Sequence, residues 1–181
     1  MGSDFSIESS TVVHQGAIVN TEEVSVRAPS GELLKRQVVR HPGAVAVVAI
    51  DNGNVVLVKQ YRVAIDDDLI EIPAGKLDIA GEPPADAARR ELIEEVGLDP
   101  TELVELGSFV TAAGFSDERI WIFASTEHTD VGRQVDGVEE AHSTVLRVPI
   151  GEIMDWTADG RIEDSKTLVG LLWAQQRGLL G

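Results

Sequence analysis

The segment from Pro83 to Leu98 constrains this chain more than any other. Two prolines open it and Gly97 closes it, the asymmetry expected of helix ends. Between them Ala85, Ala88, Leu92 and Val96 recur at helical spacing and form an apolar stripe. Glu91 and Glu95, four residues apart, lie along the edge of that stripe, with Glu94 three after Glu91. A helix that buries this stripe carries its carboxylates to the rim between core and solvent. Like charges at such spacing destabilise an isolated helix by roughly 0.2–0.5 kcal/mol per pair. Hard divalent cations such as Mg²⁺ prefer carboxylate oxygen, and a bound cation turns the repulsion into attraction. Arg90 stands four before Glu94 and can pair with it. The competing reading is a solvated acidic face; the stripe, Arg90 and the firm helix ends argue against it.

Glycine and proline punctuate the rest of the chain. Thr11 to Val13, Ala17 to Arg27 and Leu34 to Arg40 have strand-like β-branched content, with Pro29-Ser30-Gly31 as a turn between the last two. Ala44 to Ile50 is a continuous apolar run, the pattern of a strand buried on both faces. Asp51-Asn52-Gly53-Asn54 predicts a tight hairpin turn into a return strand from Val55 to Gln60. Further strands are expected over Leu69–Ile72, Glu105–Thr111, Ile120–Ser125 and Thr144–Val148, and helices near Gly151–Ala158 and Ser165–Gln176. Trp121, Trp156 and Trp173 fall within these patterns and read as core. Strands before a helix, more strands, then terminal helices predict an α/β fold, a mixed sheet with helices on both faces. The strands of residues 1–42 stand outside that core, which is expected to occupy residues 43–181. Isolated hairpins are marginal in water, and Ile18, Val19, Val24 and Val26 need cover. The extension is therefore expected to pack on the core or to be exchanged with a second subunit.

At 181 residues with 43% hydrophobic content, the chain suits one domain with a real core and a small extra element. No apolar run reaches the length of a membrane span, no signal-peptide pattern is visible, and there are no cysteines. The cytoplasm is the expected compartment. A formal net charge of −16 argues against non-specific nucleic-acid binding. It also repels any phosphate-bearing substrate, unless bound cations and a few arginines invert the local field.

Glu82, the seven residues after it, and Arg90-Glu91-Leu92-Ile93-Glu94-Glu95-Val96-Gly97-Leu98 match the Nudix box, and the chain resembles the Nudix hydrolases. One departure lies at the front, where six residues separate Gly75 from Glu82, one more than in the family pattern. That insertion lengthens the loop before the helix and leaves the helical carboxylates in register. Outside the box, the strand-rich extension, Pro73-Ala74-Gly75, Gly114 to Arg119 and the acidic loop Asp136 to Glu140 resemble the ADP-ribose pyrophosphatases among these enzymes.

The resemblance implies an α/β/α sandwich with an N-terminal antiparallel β extension. It also implies a homodimer that hydrolyses ADP-ribose to AMP and ribose 5-phosphate with two or more Mg²⁺ ions, for which Mn²⁺ can substitute. Glu91 and Glu95 are then metal ligands, Glu94 assists, the carbonyl of Ala74 completes the set, and Arg90 orients the carboxylates. Glu82 either reaches metal through water, orients Arg90, or is an acid favoured by the helix start. The general base falls on Glu139, with Glu140 beside it as the alternative; without the family match both read as a solvated acidic loop. Arg36 and Arg62 match positions that bind the diphosphate or the adenine end, and Glu118 one that contacts the sugar. Each of these is otherwise an ordinary surface charge. Phe115 reads as a loop anchor. Two other readings stand beside this one: a pyrophosphatase for another nucleoside diphosphate sugar such as GDP-mannose, and a non-catalytic ADP-ribose sensor. The intact box carboxylates and the lack of a basic helix-turn-helix weigh against the sensor.

Overall fold

Residues 44–62 form the centre of the larger sheet because their apolar side chains alternate between two buried faces. In the computed structural model, which describes residues 4–135 and 141–181, β4 (Ala44–Asp51) is an eight-residue strand with six buried positions. It turns through Asn52 and Gly53, both at positive φ, into β5 (Asn54–Arg62). Positive φ at both central residues is what a tight hairpin turn requires, and Asn-Gly supplies it.

Two compact units emerge, one of residues 1–43 with 110–119, the other of residues 44–109 with 120–181. In the second unit the sheet order is β12-β5-β4-β10-β9. Here β9 is Val104–Val110, β10 is Arg119–Ser125 and β12 is Thr144–Pro149. β10 runs parallel to β4, whereas β12 and β4 run antiparallel to β5, which gives the expected mixed sheet. β5 leaves β4 early: their pairing covers only Ala49 to Asp51 against Asn54 to Val56. The opened edges are taken by β6 (Asp67–Glu71) on β5 and β7 (Ala74–Lys76) on β4. Between these short strands, Pro73 O accepts a hydrogen bond from Val47 N at 2.9 Å.

Helix α1 (Pro84–Val96) covers one face of the sheet, where Ala87, Ala88, Leu92 and Val96 pack with Val45, Val47, Val56 and Val58. On the opposite face Ile153 of α2 (Ile150–Ala158) and Leu171 and Ala174 of α3 (Ser165–Gln176) pack with Val48, Leu57 and Ile122. The layers are therefore helix, sheet, helix, as expected. Within α1 the expected stripe needs one correction. Ala85, in the first turn, is exposed, and the buried arc is completed instead by Ala87 on the Glu91 and Glu95 side. Gly97 ends the helix at φ +75° and donates its N–H to Ile93 O, so the expected stop is also a left-handed cap. Two short strands absent from the sequence reading, β8 (Leu98–Pro100) and β11 (His128–Asp130), pair with each other. Trp121, Trp156 and Trp173 are half-buried and pack against the two clusters as core margins. No described helix is long and apolar enough to cross a membrane.

The first unit is an antiparallel three-stranded sheet in the order β1-β2-β3. β1 (Ser6–Gln15) extends well beyond the expected Thr11–Val13, and β2 (Asn20–Arg27) starts later than Ala17 because Gly16 to Val19 form a turn. β3 (Leu33–Arg40) follows a turn in which Gly31 adopts φ +90°. Ion pairs Arg27–Glu8, Lys35–Glu23 and Arg40–Glu22 cross between the strands. Residues 110–119 join this unit through hydrogen bonds from Val39 N to Phe115 O and from His41 N to Asp117 Oδ1. Phe115 thus anchors its loop through its backbone, while its ring is exposed. Val24 finds cover within the chain, but Ile7, Val12, Val13, Ile18 and Leu33 remain more than half exposed.

Candidate active site

The helical repeat places Glu91 and Glu95 on the buried arc of α1, where only 8% and 4% of each residue is exposed. Charge in such a place must be met by hydrogen bonds or counterions. Arg90 supplies most of the answer. Its Nη1 donates to Glu91 Oε1 at 2.7 Å and to Glu94 Oε2 at 3.1 Å, while Nε and Nη2 donate to the two oxygens of Glu82 at 3.2 and 3.0 Å. Asp78 lies at 3.8 Å from the same guanidinium. One arginine therefore gathers three glutamates of the box. Glu82 therefore touches Arg90 directly, the contact that one of the roles open to it requires. The hydrogen bond that Arg90 donates to Glu82 leads the influences that raise its guanidinium above its ordinary value.

Burial pushes the Glu91 carboxyl above its ordinary value, against the pull of the Arg90 hydrogen bond. The β7 strand brings backbone up to these acids: Ala74 N donates to Glu95 Oε2 at 2.9 Å. Gly75 is required beside Glu91, because a Cβ there would fall 1.8 to 2.1 Å from the carboxyl carbon and both its oxygens. Glycine thus clears the cradle in which the carboxylate sits. A cleft of about 330 Å³ runs along the Arg90 and Glu94 side of the helix, lined also by Asp86, Arg89, Ile93 and Gln134.

The donor set suits a hard divalent cation. Two buried carboxylates converge on a strand that carries the Ala74 carbonyl, and the oxygens are anionic or carbonyl throughout. Among the described residues no group of three or more acidic, histidine or cysteine side chains could hold an ion alone. Mg²⁺ commonly binds through one or two carboxylates and completes its shell with water and substrate phosphate.

The other residues singled out in the sequence distribute as follows. Arg62 ends β5 and forms a two-pronged pair with Glu71, Nε at 2.7 Å and Nη2 at 2.6 Å. Chiefly through that bond, against the opposing effect of burial, and also through the fields of Glu71, Glu95 and Asp164, its guanidinium is raised above its ordinary value. Arg36 and Glu118 belong to the first unit. There Arg36 is exposed and donates to Lys35 O, while Glu118 accepts from Thr111 Oγ1 at 2.7 Å and lies 3.5 Å from His41 Nδ1. Glu139 and Glu140 lie outside the described residues. Glu71 and Lys166, both buried, were not singled out by sequence reasoning; no local motif marks them, since they meet across 95 positions of chain.

A Nudix domain model matches residues 39–168. The chain belongs to the Nudix family. As a Nudix hydrolase it is similar to an ADP-ribose pyrophosphatase of Mycobacterium tuberculosis, with 44% identity covering 93% of this chain and 82% of that one. An ADP-ribose pyrophosphatase of Bacillus subtilis is 32% identical, with 97% of each chain covered. The fold is shared with a crystallised ADP compounds hydrolase at a TM-score of 0.80 and 22% identity, covering 95% of this chain and 92% of that one. The Nudix box thus coincides with β7, the following loop and α1, where the carboxylates gather.

Gly75→Ala isolates the cradle. Gly75 sits in an ordinary strand, and the colliding atoms end a flexible side chain. Thermal stability is therefore expected to change by no more than about 1 kcal/mol. Displacement of Glu91 should nevertheless cut hydrolase kcat/KM by roughly 10²-fold. Wild-type kcat/KM in the folded variant would show that Glu91 need not sit against residue 75.

Proposed function

We propose that this chain hydrolyses ADP-ribose to AMP and ribose 5-phosphate, as a Mg²⁺-dependent homodimer of the cytoplasm. The observation that carries this reading is the pair of buried box carboxylates, Glu91 and Glu95, clasped with Arg90 and Ala74. They stand in a chain that aligns along nearly its whole length with ADP-ribose pyrophosphatases.

Glu91, Glu95 and the Ala74 carbonyl hold Mg²⁺, with Mn²⁺ as a substitute and two or more ions per site, and Glu94 assists. Bound there, the metal supplies activation of the attacking water and neutralisation of the diphosphate charge. Arg90 keeps the carboxylates oriented. Arg62 binds the diphosphate, Arg36 the diphosphate or the adenine end, and Glu118 the sugar; the flat, two-pronged guanidinium suits phosphate oxygens. The water oxygen attacks one phosphorus as its proton passes to Glu139, or to Glu140 beside it. The bridging P–O bond breaks, and the two monophosphates leave.

A panel of nucleoside diphosphate sugars with Mg²⁺ tests the substrate. ADP-ribose is expected to give the highest kcat/KM, and a higher value for GDP-mannose would move the assignment to that sugar. In the same assay Glu95→Gln should lose turnover while folding as well as wild type, because it relieves like-charge repulsion on α1. Wild-type rates in that variant at saturating Mg²⁺ would remove Glu95 from the metal site.

Glu139→Gln is expected to lower kcat by roughly 10²–10⁴ with little change in KM. If Glu140→Gln has that effect instead, the base is one residue further on. Full activity in both variants would take the loop out of the chemistry.

The exposed apolar residues of β1 and its neighbours, Ile7, Val12, Val13, Ile18 and Leu33, support pairing of two copies through the extension. Sedimentation at micromolar concentration should report twice the 19.5 kDa chain mass. An active monomer under those conditions would refute the dimer.

A further inference from the structure

A buried acid stands in the second unit apart from the box. Glu71, at the end of β6, is 1% exposed and lies three residues ahead of Ala74. Its carboxylate accepts both prongs of Arg62, a hydrogen bond from Lys166 Nζ, and a longer one from Gln60 Nε2 at 3.4 Å. Burial alone pushes this carboxyl up, but the two cations outweigh burial and hold it below its ordinary value. Lys166, itself buried, also meets Asp164 at 3.0 Å. Asp164 caps α3 by accepting from Thr167 N and Oγ1, and Thr167 Oγ1 accepts from Ile72 N. The cluster thus ties the start of α3 to the strand link that delivers Ala74. Such a cluster is weak evidence of a purely stabilising role, since well-packed apolar residues often replace buried ion pairs without loss.

The geometry at Arg62 suggests its use. Nε and Nη2 are both committed to Glu71, so the guanidinium plane cannot turn without breaking two charge-assisted bonds. Nη1 has no acceptor among the described residues, and 38% of the side chain is exposed. The charge of Glu95 is felt at this guanidinium, so the held cation and the box acid share one field. An arginine already fixed in one rotamer loses less freedom when an anion arrives than one that must be ordered on binding.

We propose that Glu71 is a positioning residue for hydrolysis: it holds Arg62 so that Nη1 meets the diphosphate, while Lys166 balances its charge from the opposite side. This rests on the assignment of Arg62 to the substrate diphosphate made above. A double-mutant cycle separates positioning from bulk structural support. Affinity for ADP-ribose is measured by calorimetry with a chelator present, and KM and kcat are measured with Mg²⁺. Glu71→Gln and Arg62→Ala should each weaken binding and raise KM by about tenfold, and Glu71→Gln should add nothing once Arg62 is gone. Because Glu71→Gln leaves Lys166 without its buried partner, the cycle is repeated in a Lys166→Met background, with a cooperative thermal transition as the check on folding. Non-additive losses in either folded background support the proposal. Additive losses, or wild-type affinity in Glu71→Gln, overturn it while leaving the substrate assignment intact. Failure of the wild-type chain to bind or hydrolyse ADP-ribose overturns the substrate assignment, and this inference with it.

Discussion

Two carboxylates buried on a helix whose other inward side chains are alanine, leucine and valine set the terms for everything around them. Removing an ionised carboxylate from water costs several kcal/mol even after the protein relaxes. The fold meets that cost with Arg90 on Glu91 and the Ala74 N–H on Glu95. It leaves part unmet, since burial still raises the Glu91 carboxyl. A divalent cation favours the charged form of both acids, so metal binding and the ionisation of the site reinforce each other.

The sheet makes room for this arrangement by letting β4 and β5 part after three residue pairs. Had they stayed paired, the edge of β4 that receives β7 would be occupied. Their divergence lets residues 71–76 run between them, presenting Glu71, Ala74 and Gly75 in succession. β4 is buried on both faces, so the strand behind the box is held by packing with α1 on one side and α3 on the other. Sites built on such elements are positioned more tightly than sites on loops.

A chain of net charge −16 that handles a diphosphate must arrange its positive charge locally. At physiological ionic strength, exposed charges beyond about 8 Å are largely screened. The acidic surface as a whole therefore matters less than the groups near the box. Arg62 and Lys166 balance Glu71 and Asp164 to zero, and Arg90 faces three glutamates. The negative charge left there suits a divalent cation.

What could be read without the structure followed from short-range spacing. The proline start and glycine stop of α1, the Asn52-Gly53 turn, the two-faced burial of β4 and the pairing of Arg90 with Glu94 all depend on neighbours within a few residues, where helix and strand periods dictate which side chains meet. Periodicity places residues on a face but not along the depth of the core, so Ala85 was expected inside and lies outside, while Ala87, which was not part of the expected stripe, is buried. Glu82 on Arg90, eight apart, needed the loop to fold back over the helix start. The contact of Glu71 with Lys166 spans 95 positions and exists only because α3 packs on the sheet beside β6. By itself the sequence determined the helix, its acids, their register and the local pair of Arg90 with Glu94; the tertiary structure decided which cation the acids outside the helix meet, because pairing across long loops depends on how the layers pack.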